Sequence, residues 1–397
     1  MIAIAKIKAD NKSRLIQEGL SCRFSRRLIS PCIRRHHTVF MASPVQDRRL
    51  LTGNRDIRRR LIKIQILGPL ERMMRVMMMI NDVCSGDDFS HRLLLSVQNV
   101  LKEPVLAYKP IKEGKWKIFL PSGPWFLKEF SSETKWKQQQ ALIHSLHSVH
   151  FFKTAEPHPM QTEEVISFQK RFYGVFRWIE SSIPPFSYKR EEERIQALSV
   201  LNEFHACTET FYSSFLSVIS QFDQTKKWKE RHHEFEANRK KLEWYLSLNA
   251  IKKYLWMGER AIEAISKFTI QDEMAIIHGD VAHHNFIKDR SNRLFITDFD
   301  LIAIAPKTYD YIQFAMRVLP ILHWDESLLW KHPFLDKYQD DPFFLAHLLF
   351  PSDIFREWNR FFKRPRSGHL PYLYQITVKE MDERTAFFNK IFAKMFK

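Results

Sequence analysis

Cysteine and long apolar runs are both scarce in this chain of 397 residues. No C-x-x-C pair occurs and no cysteine-histidine cluster has the spacing of a zinc site, which argues against a disulfide framework or structural zinc and favours a reducing cytoplasm. Lys6 and Lys8 interrupt the apolar N-terminal stretch, so no secretory signal is predicted. No apolar run reaches the length of about 18 residues that a membrane span needs, and we predict no membrane association. The four cysteines are Cys22, Cys32, Cys84 and Cys207.

Glycine is also scarce, with ten residues in the whole chain. Only Gly114 and Gly123 fall in the stretch 105–130, where two turns separate three aromatic and β-branched runs and predict a three-stranded meander. Backbone amides approach a phosphate closely only where the side chains leave room. The sequence therefore argues against a glycine-rich phosphate loop in this sheet, and a nucleotide there would need a covering loop of another shape.

Acidic residues are few near the N-terminus, and this makes the chain basic. The formal charge is +17, but residues 1–80 contain 18 Lys or Arg and five Asp or Glu, a charge of +13, which leaves +4 for residues 81–397. Any case for nucleic-acid binding rests on this segment alone. Residues 1–78 show no sustained hydrophobic period and are interpreted as a disordered arm, an Arg-rich targeting segment, or sequence upstream of the true start. The methionines between Met73 and Met79 favour the last interpretation.

The clearest chemical signal lies between residues 276 and 300. Two short apolar runs, at 276–277 and 294–296, are each followed closely by acidic residues and predict buried strands that deliver carboxylates to a cleft. The oxygen-bearing side chains of Asp280, Asn285 and Asp298 suit one carboxylate that receives a hydroxyl proton and two ligands for a hard cation that holds a phosphate. This set predicts a phosphoryl-transfer site.

The same residues form a recognisable motif. The sequence H-G-D-x-x-x-x-N at 278–285, followed by D-F-D at 298–300, resembles the catalytic loop and metal-binding segment of the aminoglycoside phosphotransferase and choline kinase superfamily. These enzymes are small-molecule relatives of the protein kinases. Gly279 and Ala282 stand where a protein kinase normally has Arg and Lys, and both differences favour the small-molecule branch.

The resemblance implies a role for each polar residue of the motif and for one aspartate beyond it. It implies that Asp280 is the catalytic base and that Asn285 and Asp298 bind magnesium. It also implies that Asp300 is a further carboxylate near the metal and that Asp310 braces the catalytic loop.

Upstream of the motif, the resemblance points to residues that contact the nucleotide. Lys128 interrupts an apolar strand at the position where kinases carry the lysine that reaches the α- and β-phosphates, although an edge lysine is a plausible alternative. The glutamate that normally holds this lysine is not evident, since Glu133 lies too early and residues 138–140 are glutamines. Glu180, in the predicted hinge, and His278 complete the set of residues predicted to contact the nucleotide.

From Arg190 onward the pattern is helical. Residues 224–245 are strongly charged and predict a helix with a solvated face. Several acidic residues follow Asp310 and would suit an amine-bearing acceptor if they faced the cleft, but exposed helix ends explain them more simply. These residues are Asp325, Glu326, Asp336, Asp340 and Asp341.

We therefore predict an α+β, bilobal, protein-kinase-like fold with a β-rich N-lobe at 79–182 and a helical C-lobe at 183–397. The predicted function is transfer of the γ-phosphoryl group of ATP to a hydroxyl group of a small molecule, with ATP and Mg²⁺ as cofactors and with neither nucleic acid nor a membrane as partner. The alternative is a non-catalytic member with a structural role, since several bacterial spore-coat proteins resemble these kinases.

Overall fold

The computed structural model describes residues 88–161, 164–270 and 272–396. The predicted basic arm at 1–78, the later start proposed near its end and three of the four cysteines lie outside these ranges. Cys207 is a free thiol. Among the described residues, no helix combines the length and the apolar composition that a membrane span requires.

The N-terminal part of the described chain is an antiparallel sheet with a helix before it and another between its third and fourth strands. In chain order the elements are α1 (Asp88–Leu101), β1 (Ala107–Lys112), β2 (Lys115–Leu120), β3 (Gly123–Phe130), α2 (Glu133–Ser148), β4 (Ile166–Phe168) and β5 (Arg171–Arg177). The five strands are arranged in the order β1-β2-β3-β5-β4. The predicted meander is therefore confirmed, and it forms three adjacent strands of a larger sheet.

The two faces of this sheet differ in chemistry because neighbouring residues of a strand point to opposite sides. Leu127 is fully buried in a core that includes Val97 of α1. Lys128, the next residue, points to the other face, and the strand register pairs it with Lys115 of β2. Two lysines on adjacent strands therefore project from the same face of the sheet.

The C-terminal part is mainly helical. It contains the helices α3 (Glu191–Glu209), α4 (Gln224–Ala237), α5 (Arg239–Leu242), α6 (Leu248–Ile265), α7 (Thr308–Val318), α8 (Glu326–Leu329), α9 (Pro342–Leu348), α10 (Ser352–Lys363), α11 (Leu370–Tyr374) and α12 (Met381–Met395). Two short antiparallel pairs lie between α6 and α7, one formed by β6 (Met274–Ile277) and β9 (Ala303–Pro306), the other by β7 (Phe286–Lys288) and β8 (Leu294–Ile296). The predicted α+β fold, with a sheet-rich N-lobe and a helical C-lobe, is confirmed.

One predicted helix differs from the structure. The charged segment 224–245 is not a single helix, because Asn238 ends α4 with its backbone N–H directed at the carbonyl groups of the last turn, and α5 begins at the next residue. Trp228 and Phe235 on α4 are fully buried. The helix therefore packs firmly into the C-lobe, and its charged residues divide between solvent and a cleft described below.

Candidate functional site

The catalytic loop starts directly after β6 and depends on a glycine. Gly279 has a φ of +75°, in the left-handed region, and a Cβ atom built on it would lie 2.2 Å from the carbonyl oxygen of Leu301. A larger residue at this position would be strained and would also collide with backbone. The loop can therefore approach the 299–301 segment closely only because residue 279 is glycine.

A single buried carboxylate fixes the start of this loop. Asp310, on the first turn of α7, accepts hydrogen bonds from the backbone N–H groups of His278 at 2.7 Å and Gly279 at 2.9 Å. Its Oδ2 atom also lies 2.9 Å from Nε2 of His205. Burial alone raises the pKa of Asp310, but the hydrogen bond and charge of His205 outweigh it, and the pKa lies below its ordinary value. These contacts are those of a brace for the loop.

The loop is also tied to the segment that follows β8. Asn285 donates a hydrogen bond from Nδ2 to the carbonyl oxygen of Asp280 at 2.9 Å, and its own carbonyl accepts one from the backbone of Thr297 at 2.8 Å. Nε2 of His278 lies 2.9 Å from the carbonyl oxygen of Thr297. His278 is fully buried and does not line the cleft described below, where a nucleotide contact was predicted for it, and its side chain instead bridges the loop to Thr297.

Asp298 and Asp300 lie next to the two lysines of the sheet. Lys128 contacts Oδ1 of Asp298 at 2.8 Å and Oδ1 of Asp300 at 2.6 Å, and Lys115 contacts Oδ2 of Asp298 at 3.0 Å. Burial opposes ionisation of Asp298, but the two lysines outweigh it and hold its pKa well below the ordinary value. Burial raises the pKa of Asp300, and the nearby Asp298 carboxylate acts in the same direction.

This donor set fits a magnesium ion. Asp298 and Asp300 are neighbouring carboxylates that share one lysine, and carboxylate and amide oxygens are suitable ligands for a hard divalent cation. Asn285 lines the same cleft as Asp298. Asp298 has a left-handed backbone with φ of 68° and ψ of 61°, which is uncommon outside glycine and is often found at functional sites. Within the described ranges, no group of three or more His, Cys, Asp or Glu forms a metal cluster, so the set would comprise two carboxylates and an amide.

An open cleft lies between the sheet and this donor set. Its lining includes Phe126, Phe176 and Ile179, which give it the apolar walls that a planar base requires. Lys128 and Gln139 also line it. These features suit a nucleotide with its phosphates directed towards the lysines.

The structure bears on the partner of Lys128, which the sequence left unassigned, and on the position of Glu180. The partner of Lys128 that the sequence left unassigned is not Glu133, which pairs with Lys137 on the same helix at 2.6 Å. Gln139 is buried at the cleft, and its Oε1 atom has no hydrogen-bond partner among the described residues. Glu180 lies just after β5, but its exposed carboxylate points to Lys117 at 3.2 Å and does not line the cleft.

A second, larger cleft lies on the other side of the loop. Asp280 lines it, and Arg317 of α7 donates a hydrogen bond to one of its carboxylate oxygens. His284 lines both clefts, so the loop separates them by little more than its own width. A hydroxyl group beside Asp280 and a phosphate beside Asp298 could therefore approach each other across this loop.

The acidic residues proposed for an amine-bearing acceptor do not line this second cleft. Asp325 and Asp341 cap the helices α8 and α9, Glu326 pairs with Lys390, and Asp340 pairs with Lys394. These four residues therefore lie at helix termini or in ion pairs away from this cleft, and Glu326 is buried rather than exposed. Among the charged side chains that line the cleft, five are Lys or Arg and three are Asp or Glu.

Sequence reasoning missed Lys115 and Arg317. Lys115 lies opposite Lys128 in the meander. Residues that face each other on adjacent strands point to the same side of the sheet, so the predicted hairpin between β2 and β3 was a signal that the two lysines share a face. Arg317 had no comparable signal, because it is seven residues beyond Asp310 on α7 and meets Asp280 only through the tertiary fold.

No protein-family model matches the chain, and no curated protein matches it. Solved structures do match. An aminoglycoside phosphotransferase from Alicyclobacillus acidocaldarius aligns with 75% of this chain and 96% of its own, at 15% identity and a TM-score of 0.58. An aminoglycoside phosphotransferase in complex with GDP and kanamycin aligns at 14% identity over 75% and 99% of the two chains, with a TM-score of 0.52.

The GDP complex of aminoglycoside 2'-phosphotransferase-IIIa aligns with 76% of this chain and 99% of its own, at 14% identity and a TM-score of 0.50. At these identities the likeness concerns the fold. It covers both the N-terminal sheet and the helical part, since the matches span nearly the whole of the solved proteins. The chain therefore has the bilobal, kinase-like fold of the aminoglycoside phosphotransferases.

Proposed function

We propose that this protein is a phosphotransferase that moves the γ-phosphoryl group of ATP to a hydroxyl group of a small molecule. One observation carries the proposal: Asp280 lines one cleft, Asn285 and Asp298 line the neighbouring one, and His284 lines both. Phosphoryl transfer needs a base on one side of the reacting phosphate and a cation site on the other. The fold shared with aminoglycoside phosphotransferases is consistent with that chemistry.

Each residue would have a separate task in the reaction. Asp280 would orient the acceptor hydroxyl and take its proton as the oxygen attacks the γ-phosphorus. The bond from that phosphorus to the β–γ bridging oxygen then breaks, and ADP leaves. Asn285 and Asp298, with Asp300 beside them, would hold magnesium, which supplies charge neutralisation on the phosphates when bound. Lys128 would steady the phosphates from the sheet.

The lysine contacts of Asp298 support this assignment. The ammonium groups of Lys128 and Lys115 neutralise the Asp298 carboxylate in a partly buried site. A nucleotide would offer these cations phosphate oxygens and leave Asp298 available to magnesium. The same lysines would thus serve both states, because anionic oxygens surround them in each.

The test is transfer of label from γ-labelled ATP, with GTP in parallel, to a metabolite extract in the presence of magnesium. We expect transfer by the wild type and loss of transfer in Asp280→Ala and Asp298→Ala. Asp336→Ala, which removes an exposed acidic residue far along the chain, is the matched control and should retain activity. Circular dichroism would establish that the inactive variants are folded. Undiminished transfer by Asp280→Ala would remove that residue from the mechanism.

A second candidate is a kinase-like protein that binds a nucleotide without turning it over. The hydrogen bond from Arg317 to Asp280 favours it, because it occupies an oxygen of the proposed base. Magnesium-dependent binding of ATP, with no transfer to amine, sugar or amino-alcohol acceptors and no difference between the wild type and Asp280→Ala, would support this structural role.

A further inference from the structure

The cleft that contains Asp280 has a strongly basic lining. Five Lys or Arg side chains from three helices border it, although the net charge of residues 81–397 is only +4. They come from α4, α7 and α10, so the fold assembles a charge cluster that no short stretch of sequence contains. The five residues are Lys227, Arg231, Arg317, Arg356 and Arg360.

Carboxylates at this cleft do not neutralise the whole cluster. Arg384 holds Asp353 in a bidentate pair, with contacts of 3.0 Å from Nη1 and 2.6 Å from Nη2, and it also contacts Glu380. Glu357 accepts contacts from both Arg356, at 2.8 Å, and Arg360, at 3.4 Å. One carboxylate is thus divided between two guanidinium groups, and two others are directed to an arginine outside the cluster.

Lys227 and Arg231 are the least compensated members. They lie one turn apart on α4, and neither side chain forms an ion pair or hydrogen bond with any residue in the described ranges. The ammonium group of Lys227 instead lies 4.7 Å from the ring centre of Phe222. Both side chains are half-buried. Placing unpaired cations side by side in a cleft is unfavourable unless an anion joins them.

The titration of both groups reflects this environment. Burial lowers the pKa of Lys227 to about 8, with the charge of Arg231 adding to the effect. Burial lowers the pKa of Arg231 to about 10, and the charges of Arg356 and Arg317 act in the same direction. Mutual repulsion among cations is therefore present before any ligand arrives.

The helix that carries these two residues is firmly held. Trp228 is fully buried and stacks on Phe350 with ring centres 4.5 Å apart, and His232 contacts the carbonyl oxygen of Leu255 at 3.1 Å. These anchors alternate with Lys227 and Arg231 along α4. The two cations are consequently presented to the cleft from a fixed backbone, which reduces the entropy lost when a ligand binds.

From this geometry we infer that the acceptor of the reaction proposed above is an anionic hydroxyl compound, whose phosphate or similar anionic group is held by Lys227 and Arg231 while its hydroxyl group meets Asp280. Arg356 and Arg360 border the same space, and a planar guanidinium group matches the oxygens of a phosphate or carboxylate. A cationic aminoglycoside-like acceptor would meet repulsion here. This inference rests on the proposed function, because it names the substrate class of that same site.

The basic lining also continues beyond this cleft. An adjoining groove shares Arg231, Arg356 and Arg360 with it and extends along α10 to Lys363 and Arg364. An acceptor with its anionic group at Arg231 could therefore extend outwards along a surface of the same charge. This continuity favours an acceptor that is longer than a single phosphorylated triose.

Binding is the first test, because it does not require turnover. Calorimetric titration would compare glycerol 3-phosphate with glycerol, and glucose 6-phosphate with glucose, using the full chain. The variant is Lys227→Met with Arg231→Met, and the matched control is Lys226→Met with Lys229→Met, which removes the same charge from the exposed side of α4. Lys128→Met is included because phosphates could also occupy the nucleotide cleft.

We expect the phosphorylated compounds to bind the wild type, the Lys226/Lys229 control and Lys128→Met, with affinity at least tenfold weaker in the Lys227/Arg231 variant. The neutral partners should bind far more weakly throughout. Equal affinity in the wild type and the Lys227/Arg231 variant, no binding by the wild type, or loss of binding only in Lys128→Met would each overturn the inference.

Turnover is the second test and separates this inference from the proposed function. With γ-labelled ATP, the wild type should phosphorylate anionic acceptors in preference to kanamycin or choline, and the Lys227/Arg231 variant should show a raised KM for the acceptor with an unchanged KM for ATP.

Anion binding as expected without any transfer would contradict the phosphotransferase function and leave the anion site standing. Efficient transfer to kanamycin or choline alone would overturn the anionic acceptor and leave the phosphotransferase function standing. Carboxylate, sulfate and phosphate versions of the acceptor would identify the preferred anion.

Discussion

Arg317 donates a hydrogen bond to the carboxylate of Asp280, and it does so from a helix that starts at Thr308, well beyond the loop in the sequence. The contact engages one carboxylate oxygen and leaves the other for an acceptor hydroxyl. Burial and the nearby charge of Arg356 lower the pKa of Arg317. The contact therefore joins the proposed base to the basic cleft, and in the proposed reaction Arg317 would position Asp280.

Replacing Arg317 tests this role. Arg317→Met should lower kcat by about 10- to 100-fold, because a misplaced base costs about that much, while the KM for ATP stays close to the wild-type value. Arg317→Lys should restore part of kcat, since it keeps a cation. Arg239→Met removes an exposed arginine on α5 and serves as control. A rise in kcat would instead mean that Arg317 blocks the base in the wild type.

The two carboxylates beside Lys128 lead to a prediction about magnesium. Lys128→Met removes the buried cation that contacts both Asp298 and Asp300. The two carboxylates would then repel each other without a cation between them, and the free energy of unfolding should fall by about 1–3 kcal/mol. A divalent ion bound between the carboxylates would replace the missing charge. Magnesium should therefore raise the Tm of Lys128→Met more than that of the wild type.

The control for this measurement is Lys117→Met, which removes an exposed lysine of β2 that pairs with Glu180. Its Tm should respond to magnesium as the wild type does. Potassium chloride at equal ionic strength separates binding from screening. Identical magnesium shifts in all three proteins would exclude Asp298 and Asp300 as a divalent-ion site.

Asp310 leads to a prediction about stability. The fully buried carboxylate of Asp310 accepts hydrogen bonds from the backbone of His278 and Gly279 and contacts His205. Asp310→Asn places an amide N–H group where one of these acceptor oxygens lies. We expect the free energy of unfolding, measured with denaturant, to fall by about 2–4 kcal/mol. The pKa of Asp310 is lower in the folded than in the unfolded state. Its ionised carboxylate therefore stabilises the folded protein above the ordinary carboxyl pKa, and this stabilisation is lost as the pH falls from that value through the lowered pKa of the folded state. Asp382→Asn, on the exposed surface of α12, should change little. A shift as small as that of the control would show that Asp310 is not the brace of the loop.

Much of the fold could be predicted because its signals are local. The meander follows from alternating aromatic strands and the turns at Gly114 and Pro121, and the catalytic loop follows from two short apolar runs that end near acidic residues. The motif residues Asp280, Asn285 and Asp298 were found in the same way. What remained hidden are contacts between distant segments, such as the approach of Arg317 to Asp280.

The charge balance shows why local reasoning did not find the basic cleft beside Asp280. The net charge of residues 81–397 is only +4, which suggested a body without a functional basic surface. Packing of α4 against α10 nevertheless brings Lys227 and Arg231 to the same cleft as Arg356 and Arg360, while most acidic residues of this region cap helices or pair elsewhere. A sum over residues cannot detect such a cluster, because it depends on which side of each helix faces inwards.

Lys227 gives a prediction about pH that needs no ligand. Its pKa is lowered in the folded protein from 10.5 to about 8, chiefly by burial and by Arg231, with Arg356 and Arg317 acting in the same direction and Asp280 opposing. Between these values the unfolded chain binds a proton that the folded chain does not, so the free energy of unfolding should rise with pH across this window. Below about pH 8 both states are charged, and the folded protein carries the full cost of the buried cation.

Lys227→Met should therefore stabilise the protein at pH 7, by about 1–2 kcal/mol after allowance for the partial exposure of the side chain, and the gain should vanish near pH 10.5. Urea unfolding of the wild type, Lys227→Met and the exposed control Lys229→Met at several pH values would measure this. A lysine that lowers stability and forms no ion pair or side-chain hydrogen bond in the described part of the chain is what an anion-binding site predicts. If Lys227→Met destabilised the protein at pH 7, Lys227 would be a structural residue, and the anionic acceptor would lose its main support.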